Sequence, residues 1–473
     1  MGGGSEHGHL GIWGICASAL GRRRRGIIRR VARRLDRAIP ERAFSEGEKM
    51  RNRYVGGALA CALVGVGLAV AFGAQPEAAP AAGQGEEVDE IRPFEVSVPD
   101  AVLADLRVRL AATRFPDQVG DPWVYGTDIA YLRQLVEYWR DEYDWREQER
   151  RLNALDHYKT RIDGLDIHFI HQRSPEPDAL PIVITHGWPG SVVEFLEAIG
   201  PLTDPVAHGG DAADAFHVVA PSMPGYGFSD KPRVPGTGPE QIADINAQLM
   251  ARLGYERYGA QGGDWGAAVS TWLAAKHPSL VAGLHLNMVF AGPPADSDDP
   301  TGGATPEELA RMQARQAELG DGFAYAAIQG TKPQTLGYGL NDSPAGLAGW
   351  IVEKFQSWCD CSGNPETIFT KDQLLTNIML YWVTGTATSA ARLYYESSRQ
   401  SAAGLIVMPE GRVEVPTGVA LFPEELILPP RAWVERQFNL THWTEMPRGG
   451  HFAAFEQPEL FVEDLRTFYR DLR

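Results

Sequence analysis

Three short apolar runs, each followed by a Gly- or Pro-rich turn and then by a new helical pattern, constrain the fold of this chain most strongly. The runs span residues 181–185, 216–220 and 258–261. Buried parallel strands read as continuous apolar segments, and parallel strands need long crossovers, which are usually helices. The alternation therefore predicts an α/β architecture with a mostly parallel central sheet and helices on both faces.

A mainly helical stretch interrupts this alternation between about residues 291 and 400. A sheet pattern returns at 415–422, a strand-like segment follows at 438–444, and the chain closes with a helical pattern at 458–472. In open α/β sheets, ligands bind outside the carboxyl ends of the strands. An insertion so late in the sheet predicts a helical cap over those strand ends.

The chain divides into six predicted segments. Residues 1–54 are Arg-rich, 55–90 hold an apolar run and a linker, 91–175 form an N-terminal wrapping segment, 176–293 form the first part of the core, 294–405 form the cap, and 406–473 form the second part of the core. The wrapping segment carries Trp123, Trp139 and Trp145 as large apolar anchors and no catalytic constellation. We expect this segment to be helical up to about residue 154, to contain a strand at 165–170, and to pack around the core.

The apolar run at residues 55–74 contains 20 consecutive uncharged residues, which is long enough to cross a bilayer. Met50 and two arginines precede the run, and an Ala79-x-Ala81 pattern follows it, as in a secretory signal. We interpret the run as a cleaved export signal, with Met50 as the true start and residues 1–49 as upstream sequence from a misassigned start. The alternative is an uncleaved membrane anchor with its basic side in the cytoplasm.

The charge distribution argues against a nucleic-acid partner. Residues 1–54 hold 13 Lys and Arg against 5 Asp and Glu, so the rest of the chain holds 31 basic and 56 acidic residues. Such an acidic body repels nucleic acid and anionic lipid headgroups. We expect membrane contact only through the N-terminal segment, if it is not cleaved.

Two of the four cysteines, Cys359 and Cys361, lie in the body of the chain. A disulfide between residues two apart closes a strained ring, and the spacing is shorter than that of a usual zinc knuckle. We assign no chemistry to this pair, and the sequence predicts neither a metal nor a cofactor.

The pentapeptide GGDWG at residues 262–266 fits the nucleophile elbow G-x-Nu-x-G, with Asp264 where lipases and esterases carry Ser. A sharp strand-to-helix turn holds the nucleophile in a strained backbone conformation and needs neighbours without side chains. The helix that follows directs its positive end at the carboxylate. Taken alone, the pentapeptide also fits an Asp that caps a helix.

The order of three residues favours the catalytic interpretation. Enzymes of the α/β-hydrolase fold present nucleophile, acid and histidine in that order, which Asp264, Glu425 and His451 follow here. His451 lies in a loop before the last helix, and Glu425 follows a strand pattern. Glu424 and Glu445 compete for the role of the acid. The predicted fold class is thus the α/β-hydrolase fold, with a helical cap and an N-terminal wrapping segment.

Six motifs, most of them outside the elbow, resemble those of one family. They are HGWPGS at 186–191, GGDWG at 262–266, TKPQT at 331–335, LNDSPAGLAGWIVEKF at 340–355, YWVTGT at 381–386 and RGGHFAAFEQPE at 448–459. Over roughly residues 91–473 the chain resembles the epoxide hydrolases of the microsomal type. The resemblance implies an enzyme that opens an epoxide in two steps.

The first step implied by the resemblance is attack of Asp264 on an epoxide carbon, which a carboxylate can perform without first losing a proton. In the family, two tyrosines of the cap donate hydrogen bonds to the epoxide oxygen. The matching positions are Tyr325 and Tyr394, with Tyr395 as an alternative to the second. A phenol with a pKa of about 10 is a suitable donor to a strongly basic alkoxide.

The second step is hydrolysis of the ester on the nucleophile. His451 is the expected base for the attacking water, and Glu425 orients and stabilises the imidazole. By position, the backbone N–H groups of Trp188 and Trp265 stabilise the oxyanion. The residues expected to shape the turn that carries the first of these donors are His186, Gly187 and Pro189.

Other functions fit parts of the same pattern. Haloalkane dehalogenases, and as a weaker variant fluoroacetate dehalogenases, also use an Asp and a His-activated water, but they stabilise a halide. A catalytically silent ligand-binding homologue would lack part of the constellation, and a serine esterase is disfavoured because Asp occupies the elbow. An aromatic-rich lining predicts a small lipophilic epoxide as the substrate, with water as the second reactant. The residues expected in that lining are Trp188, Phe228, Trp265, Tyr325 and Trp350.

Overall fold

A single nine-stranded sheet organises the computed structural model, which describes residues 90–293, 299, 301–400 and 406–473. The strands are β1 (Arg92–Pro93), β2 (His157–Ile162), β3 (Leu165–Gln172), β4 (Leu180–Thr185), β5 (Phe216–Pro221), β6 (Tyr258–Gly262), β7 (Val281–Leu286), β8 (Val413–Leu421) and β9 (Phe438–Glu445). Their order is β1-β2-β3-β5-β4-β6-β7-β8-β9. The pairs from β5 to β9 are parallel, whereas β1, β2 and β3 form an antiparallel edge.

Helices cover the sheet and form the cap. In the described residues they are α1 (Asp100–Ala111), α2 (Ile129–Asp141), α3 (Trp145–Leu152), α4 (Leu196–Thr203), α5 (Pro239–Arg252), α6 (Asp264–Lys276), α7 (Pro306–Leu319), α8 (Ala324–Thr331), α9 (Pro333–Asp342), α10 (Pro344–Trp358), α11 (Lys371–Thr384), α12 (Ala387–Gln400), α13 (Arg431–Gln437), α14 (Ala453–Glu456) and α15 (Pro458–Tyr469). Short 3-10 turns span Val192–Phe195, Val206–His208, Ala212–Asp214 and Pro365–Thr367.

The three apolar runs of the sequence are β4, β5 and β6, and they lie side by side at the centre of the sheet. Ile182, Val183 and Ile184 have no exposed surface, because helices cover both faces of their strand. The predicted α/β-hydrolase fold is confirmed. The parallel arrangement also brings the carboxyl ends of β4, β6 and β8 to one edge of the sheet, where the turns after them meet.

The cap consists of α7 to α12, which lie between β7 and β8 in the chain. One helical pattern of the cap sequence, over residues 374–397, is divided into α11 and α12 in the structure. Gly385 divides it, since its φ of 60° is left-handed and ends α11 as a C-terminal cap.

The wrapping segment is less helical than the sequence suggested. It contains α1, α2 and α3, but it also supplies the antiparallel strands β1, β2 and β3. Trp139 and Trp145 are buried anchors, as expected. Trp123 lies in the turn before α2, where it is only partly buried and packs against the ring of Tyr131.

The N-terminal predictions cannot be compared with the fold, because the Arg-rich segment, the apolar run at 55–74 and the linker up to residue 89 lie outside the described residues. Within the described part of the chain, no helix combines the length and apolar character that a bilayer crossing requires.

Candidate active site

The nucleophile elbow is formed where β6 ends at Gly262 and α6 begins at Asp264. Asp264 has a positive φ of 49°, a strained conformation that must be imposed by its surroundings. Its neighbours must be glycines because a Cβ at Gly262 would collide with the carbonyl of Gly266, and a Cβ at Gly266 would collide with that of Thr185. The tight packing of the turn on β4 thus fixes the carboxylate at the end of the sheet.

The turn after β4 lies directly against this carboxylate. The Trp188 N–H donates a hydrogen bond of 2.8 Å to Oδ1 of Asp264. The peptide bond from Trp188 to Pro189 is cis, and a Cβ at Gly187 would overlap the Asp264 side chain. The Trp265 N–H lies in the first turn of α6, where N–H groups lack a carbonyl partner within the helix.

His186 supports the turn through both ring nitrogens. The Met223 N–H donates to Nε2 at 3.2 Å, so Nδ1 carries the proton and donates to the Gly187 carbonyl at 3.0 Å. Burial lowers the pKa of His186 to about 4, so the ring is neutral near pH 7. These contacts match the shaping role expected for His186.

A helix of the cap holds the same turn from the other side. Asn377 Nδ2 donates to the Pro189 carbonyl at 2.8 Å, and the Tyr381 hydroxyl donates to the Gly190 carbonyl at 2.6 Å. The Ser191 hydroxyl donates to Asn377 Oδ1 at 2.7 Å. The turn at residues 186–191 is therefore held between the core and α11. The sequence did not indicate these contacts.

His451 lies between two carboxylates. Its Nδ1 is 2.6 Å from Glu425 Oε1, and its Nε2 is 3.5 Å from Asp264 Oδ2. Burial alone would lower the pKa of His451, but the charges and hydrogen bonds of Glu425 and Asp264 outweigh it and hold that pKa well above its ordinary value. The resting site therefore contains an imidazolium next to Asp264.

The two competitors for the acid role point elsewhere. Glu424 pairs with Arg315 at 2.8 Å, and Glu445 pairs with Arg311 at 3.1 Å near the surface. Arg315 comes from α7 of the cap and also donates to the backbone carbonyls of Glu424 and Glu425. Of the three candidates, Glu425 is the one in contact with His451.

The two tyrosines meet on the cap side of the site. Their hydroxyl oxygens are 3.3 Å apart, with Tyr325 on α8 and Tyr394 on α12. The Trp188 ring stacks on Tyr325 at 4.8 Å, and the Trp265 ring meets Tyr394 edge-on at 4.7 Å. Tyr395, the alternative, instead packs under Arg399.

Both phenols of this pair are held protonated. Burial raises their pKa well above the ordinary value, and the negative charge of Asp264 adds to the effect in both cases. The Lys354 ammonium lies 4.6 Å from the centre of the Tyr325 ring, where a cation favours negative charge developing on the phenol. The tyrosine pair is thus suited to donate hydrogen bonds to an oxygen near Asp264.

Comparison with known proteins agrees with this geometry. Residues 91–195 match the family described as epoxide hydrolase N terminus, and residues 181–337 match the alpha/beta hydrolase fold family. A protein of Stigmatella aurantiaca assigned to the epoxide hydrolases is 50% identical over 385 residues, which cover 81% of this chain and 86% of that protein. The chain belongs to the epoxide hydrolase family.

Two further relatives of the enzyme support the same assignment. Epoxide hydrolase 1 of Sus scrofa is 41% identical over 418 residues, covering 83% of this chain and 91% of that protein. The crystal structure of juvenile hormone epoxide hydrolase from Bombyx mori has a TM-score of 0.72 at 35% identity and covers 81% of this chain and 95% of that one. The predicted family and enzyme class are confirmed.

A cavity of about 20 Å³ borders the carboxylate of this epoxide hydrolase. Its polar walls come from side chains that include those of Asp264, His451 and Glu194. Of the five aromatic residues expected to line the site, only Trp188 borders this cavity. Tyr325 belongs to the tyrosine pair and packs against Trp358, and Trp265 packs against Tyr394. Phe228 packs against Phe94, and Trp350 donates to Gln329.

The loop that carries His451 is anchored by its backbone. Glu456 accepts the N–H groups of Gly450 and Phe452, each at 2.9 Å, and the His451 N–H donates to the Trp358 carbonyl at 3.0 Å. Asp360 accepts the N–H of Gly449 at 2.8 Å. The loop of His451 is thus fixed through the end of α10, which sequence reasoning did not reveal.

The cysteine pair flanks this anchor. Cys359 and Cys361 form a disulfide on either side of Asp360, the residue that binds the histidine loop. Among the described residues, no cluster of three or more His, Cys, Asp or Glu side chains is arranged to hold a metal ion.

Proposed function

We propose that the enzyme converts a lipophilic epoxide and water to a vicinal diol through a covalent ester on Asp264. One observation carries the proposal: the Asp264 carboxylate lies between a buried tyrosine pair and a histidine that is paired with a second carboxylate. The first group can supply protons to an epoxide oxygen, and the second can activate water. Both are needed for the two steps.

In the first step, Oδ2 of Asp264 is the nucleophile, because the Trp188 N–H engages Oδ1. Oδ2 forms a bond to an epoxide carbon, the carbon–oxygen bond of the strained ring breaks, and the electron pair stays on the released oxygen. A proton from Tyr325 or Tyr394 neutralises that alkoxide. Because the two hydroxyl oxygens are 3.3 Å apart, both can donate a hydrogen bond to the same epoxide oxygen.

Formation of the ester changes the charge around His451. The pKa of His451 is raised partly by the Asp264 carboxylate, and esterification removes that negative charge. The pKa then falls, so the imidazolium gives up its proton and becomes a base when a base is needed. The proton returns to the tyrosine that was consumed in the first step.

In the second step, water loses a proton to Nε2 of His451 and bonds to Cγ of Asp264. The carbonyl oxygen becomes an oxyanion, which the N–H groups of Trp188 and Trp265 stabilise. Collapse of this intermediate breaks the bond between Cγ and Oδ2 of Asp264, and the imidazolium protonates Oδ2, which leaves as an oxygen of the diol. The new carboxylic acid at residue 264 then loses its proton to His451, which restores the resting carboxylate and imidazolium. Glu425 stabilises the imidazolium throughout.

Two variants test the scheme with styrene oxide as the substrate. We expect Asp264→Ala to abolish diol formation, because no nucleophile remains, and His451→Gln to accumulate an ester that intact-mass spectrometry detects as one added substrate mass. Wild-type turnover in Asp264→Ala, or a His451→Gln enzyme that gains no mass, would sink the proposal. Halide release from a haloalkane, in place of diol formation from an epoxide, would instead indicate a dehalogenase.

A further inference from the structure

Glu194 is a partly buried acidic residue that the two-step scheme does not use. It lies in the 3-10 turn Val192–Phe195, directly after the turn at residues 186–191. Its side chain lines the cavity of about 20 Å³ together with those of Asp264 and His451. The residue retains some accessible surface although its neighbours Val193 and Phe195 are buried, so that surface faces the cavity.

The position of the Glu194 carboxyl is fixed by local packing. It lies against the Cα of Gly190, where a Cβ would coincide with the carboxyl group. The Ser191 N–H donates a hydrogen bond to it. Gly190 itself is held by Tyr381 of α11. Because Gly190 has no side chain, the carboxyl group of Glu194 can occupy the space beside its Cα.

The cavity has the size and polarity of a site for one water. A volume of roughly 10–15 Å³ of this kind suffices for a water, which also needs two to four polar partners. Asp264, His451 and Glu194 supply three. The tyrosine pair does not border the cavity, so it is separate from the place where the epoxide oxygen is protonated.

We propose that Glu194 is a positioning residue that holds the hydrolytic water by accepting one of its hydrogen bonds, while Nε2 of His451 accepts the other. The inference rests on the two-step function proposed above. A water that donates both protons in these directions keeps its lone pairs free for the carbonyl carbon of the Asp264 ester. Without Glu194 the water would rotate, and attack would require reordering it.

The electrostatics of the cavity are consistent with this role. The pKa of Glu194 is raised to about 8; burial is the largest cause, the negative charges of Asp264 and Glu456 act in the same direction, and His451 and the Ser191 N–H oppose them. Tyr381 also faces the group and stays protonated, because burial raises its own pKa well above the ordinary value. Glu194 is therefore mostly neutral in the resting enzyme, and its carbonyl oxygen accepts. Esterification of Asp264 removes one of the charges that raise the pKa of Glu194, but deprotonation of His451 removes the larger charge that lowers it, so Glu194 stays protonated in the ester form of the enzyme.

Stopped-flow measurement of the two steps separates this role from a structural one. With styrene oxide, tryptophan fluorescence can follow ester formation and decay because Trp188 and Trp265 adjoin the nucleophile. We expect Glu194→Ala to slow ester hydrolysis by about tenfold to a hundredfold and to change the rate of ester formation by less than about threefold. The ester then accumulates, so kcat and KM fall together.

Three further variants make the test specific. Glu194→Gln keeps a carbonyl acceptor and should restore most of the hydrolysis rate. Gly190→Ala adds a Cβ that displaces the carboxyl and should reproduce the slow hydrolysis of Glu194→Ala with the glutamate still present. Glu197→Gln, on α4 and paired with Arg151 at the surface, is the matched control and should behave as wild type.

The possible results distinguish the inference from the function on which it rests. If His451→Gln forms no ester, the two-step function fails. If that ester forms but Glu194→Ala and Gly190→Ala both hydrolyse theirs at the wild-type rate, only the role of Glu194 is overturned. Equal slowing of both steps in these variants would also overturn it, since that result indicates general damage to the site.

Discussion

The core and the cap build their parts of the active site in different ways. On the core side, Asp264, Glu425 and His451 come from the turns after the carboxyl ends of β6, β8 and β9, in that order. Charge and hydrogen bonds join the three side chains. On the cap side, Tyr325 and Tyr394 come from helices and are placed by aromatic packing on Trp188 and Trp265. The core side contains ionisable groups whose charge can change, whereas the cap side contains neutral hydrogen-bond donors.

In the proposed mechanism, each region therefore serves one step. Ester formation needs a donor to an oxygen that becomes negative, and the cap supplies two phenols whose burial keeps them protonated. Ester hydrolysis needs a base whose proton affinity changes during the reaction, and the core supplies a histidine between two carboxylates. Changes in the cap should therefore affect the first step, and changes in the core should affect the second.

The largest expected effect comes from removing both phenol donors. We expect Tyr325→Phe with Tyr394→Phe to slow ester formation by about a thousandfold or more, because each general-acid contribution is about a hundredfold or greater. Either single variant should lose less, since the other phenol remains. Single-turnover kinetics measure the step directly.

Tyr395→Phe is the matched control, because this neighbouring phenol packs under Arg399 and outside the pair. It should keep the wild-type rate of ester formation. A double variant that forms the ester at the wild-type rate and loses only hydrolysis would contradict the division between the cap and the core.

A smaller effect, on the opposite step, is expected from Glu425→Gln. The amide keeps the shape of the side chain but loses the charge that stabilises the imidazolium, so ester hydrolysis should fall by about a hundredfold to a thousandfold. The ester should still form and accumulate. Intact-mass spectrometry after mixing with styrene oxide measures it.

Glu424→Gln is the control, since that carboxylate pairs with Arg315 and does not contact His451. Hydrolysis at the wild-type rate in Glu425→Gln, or slower hydrolysis in Glu424→Gln than in Glu425→Gln, would show that the wrong carboxylate has been assigned.

The core side of the site was predictable from the sequence because topology determines it. Asp264 and Glu425 follow strand patterns, and His451 precedes the last helix, so a parallel sheet must bring them to one edge. The three apolar runs were sufficient to predict that sheet. Of the antiparallel edge, β3 was predicted from the alternation at 165–170, whereas β1 and β2 were not predicted, because helical patterns dominate the sequence up to about residue 154 and these two strands are short.

Groups that act across the chain were less predictable. Glu194 has no motif of its own, and its position depends on the missing side chain of Gly190 and on the contact of Tyr381 from α11. Phe228 and Trp350 were expected in the lining because they are aromatic. Phe228 instead packs against Phe94, Trp350 donates to Gln329, and neither borders the cavity beside Asp264. Composition can predict that a lining is apolar but cannot predict which rings reach it.

The smallest expected effect concerns the pH dependence of stability, and it compares the water side with the tyrosine side. The pKa of Glu194 is raised from its ordinary value of 4.5 to about 8, chiefly by burial. Its contribution to folding is therefore fully present below about pH 4.5 and is lost as the pH rises through about 8. We expect Glu194→Gln to reduce the fall in Tm between pH 6 and pH 8 by about 2 °C, since the amide does not titrate.

Thermal unfolding followed by circular dichroism at the two pH values measures this difference, with Glu197→Gln as the control that keeps the wild-type fall. His451 is present in both proteins, so the difference between them isolates Glu194. Tyr325→Phe should also keep the wild-type fall, because its phenol is protonated at both pH values. Equal falls in Tm for wild type and Glu194→Gln would show that Glu194 does not titrate in the folded cavity. The contrast between a titrating water side and a neutral tyrosine side would then rest on His451 alone.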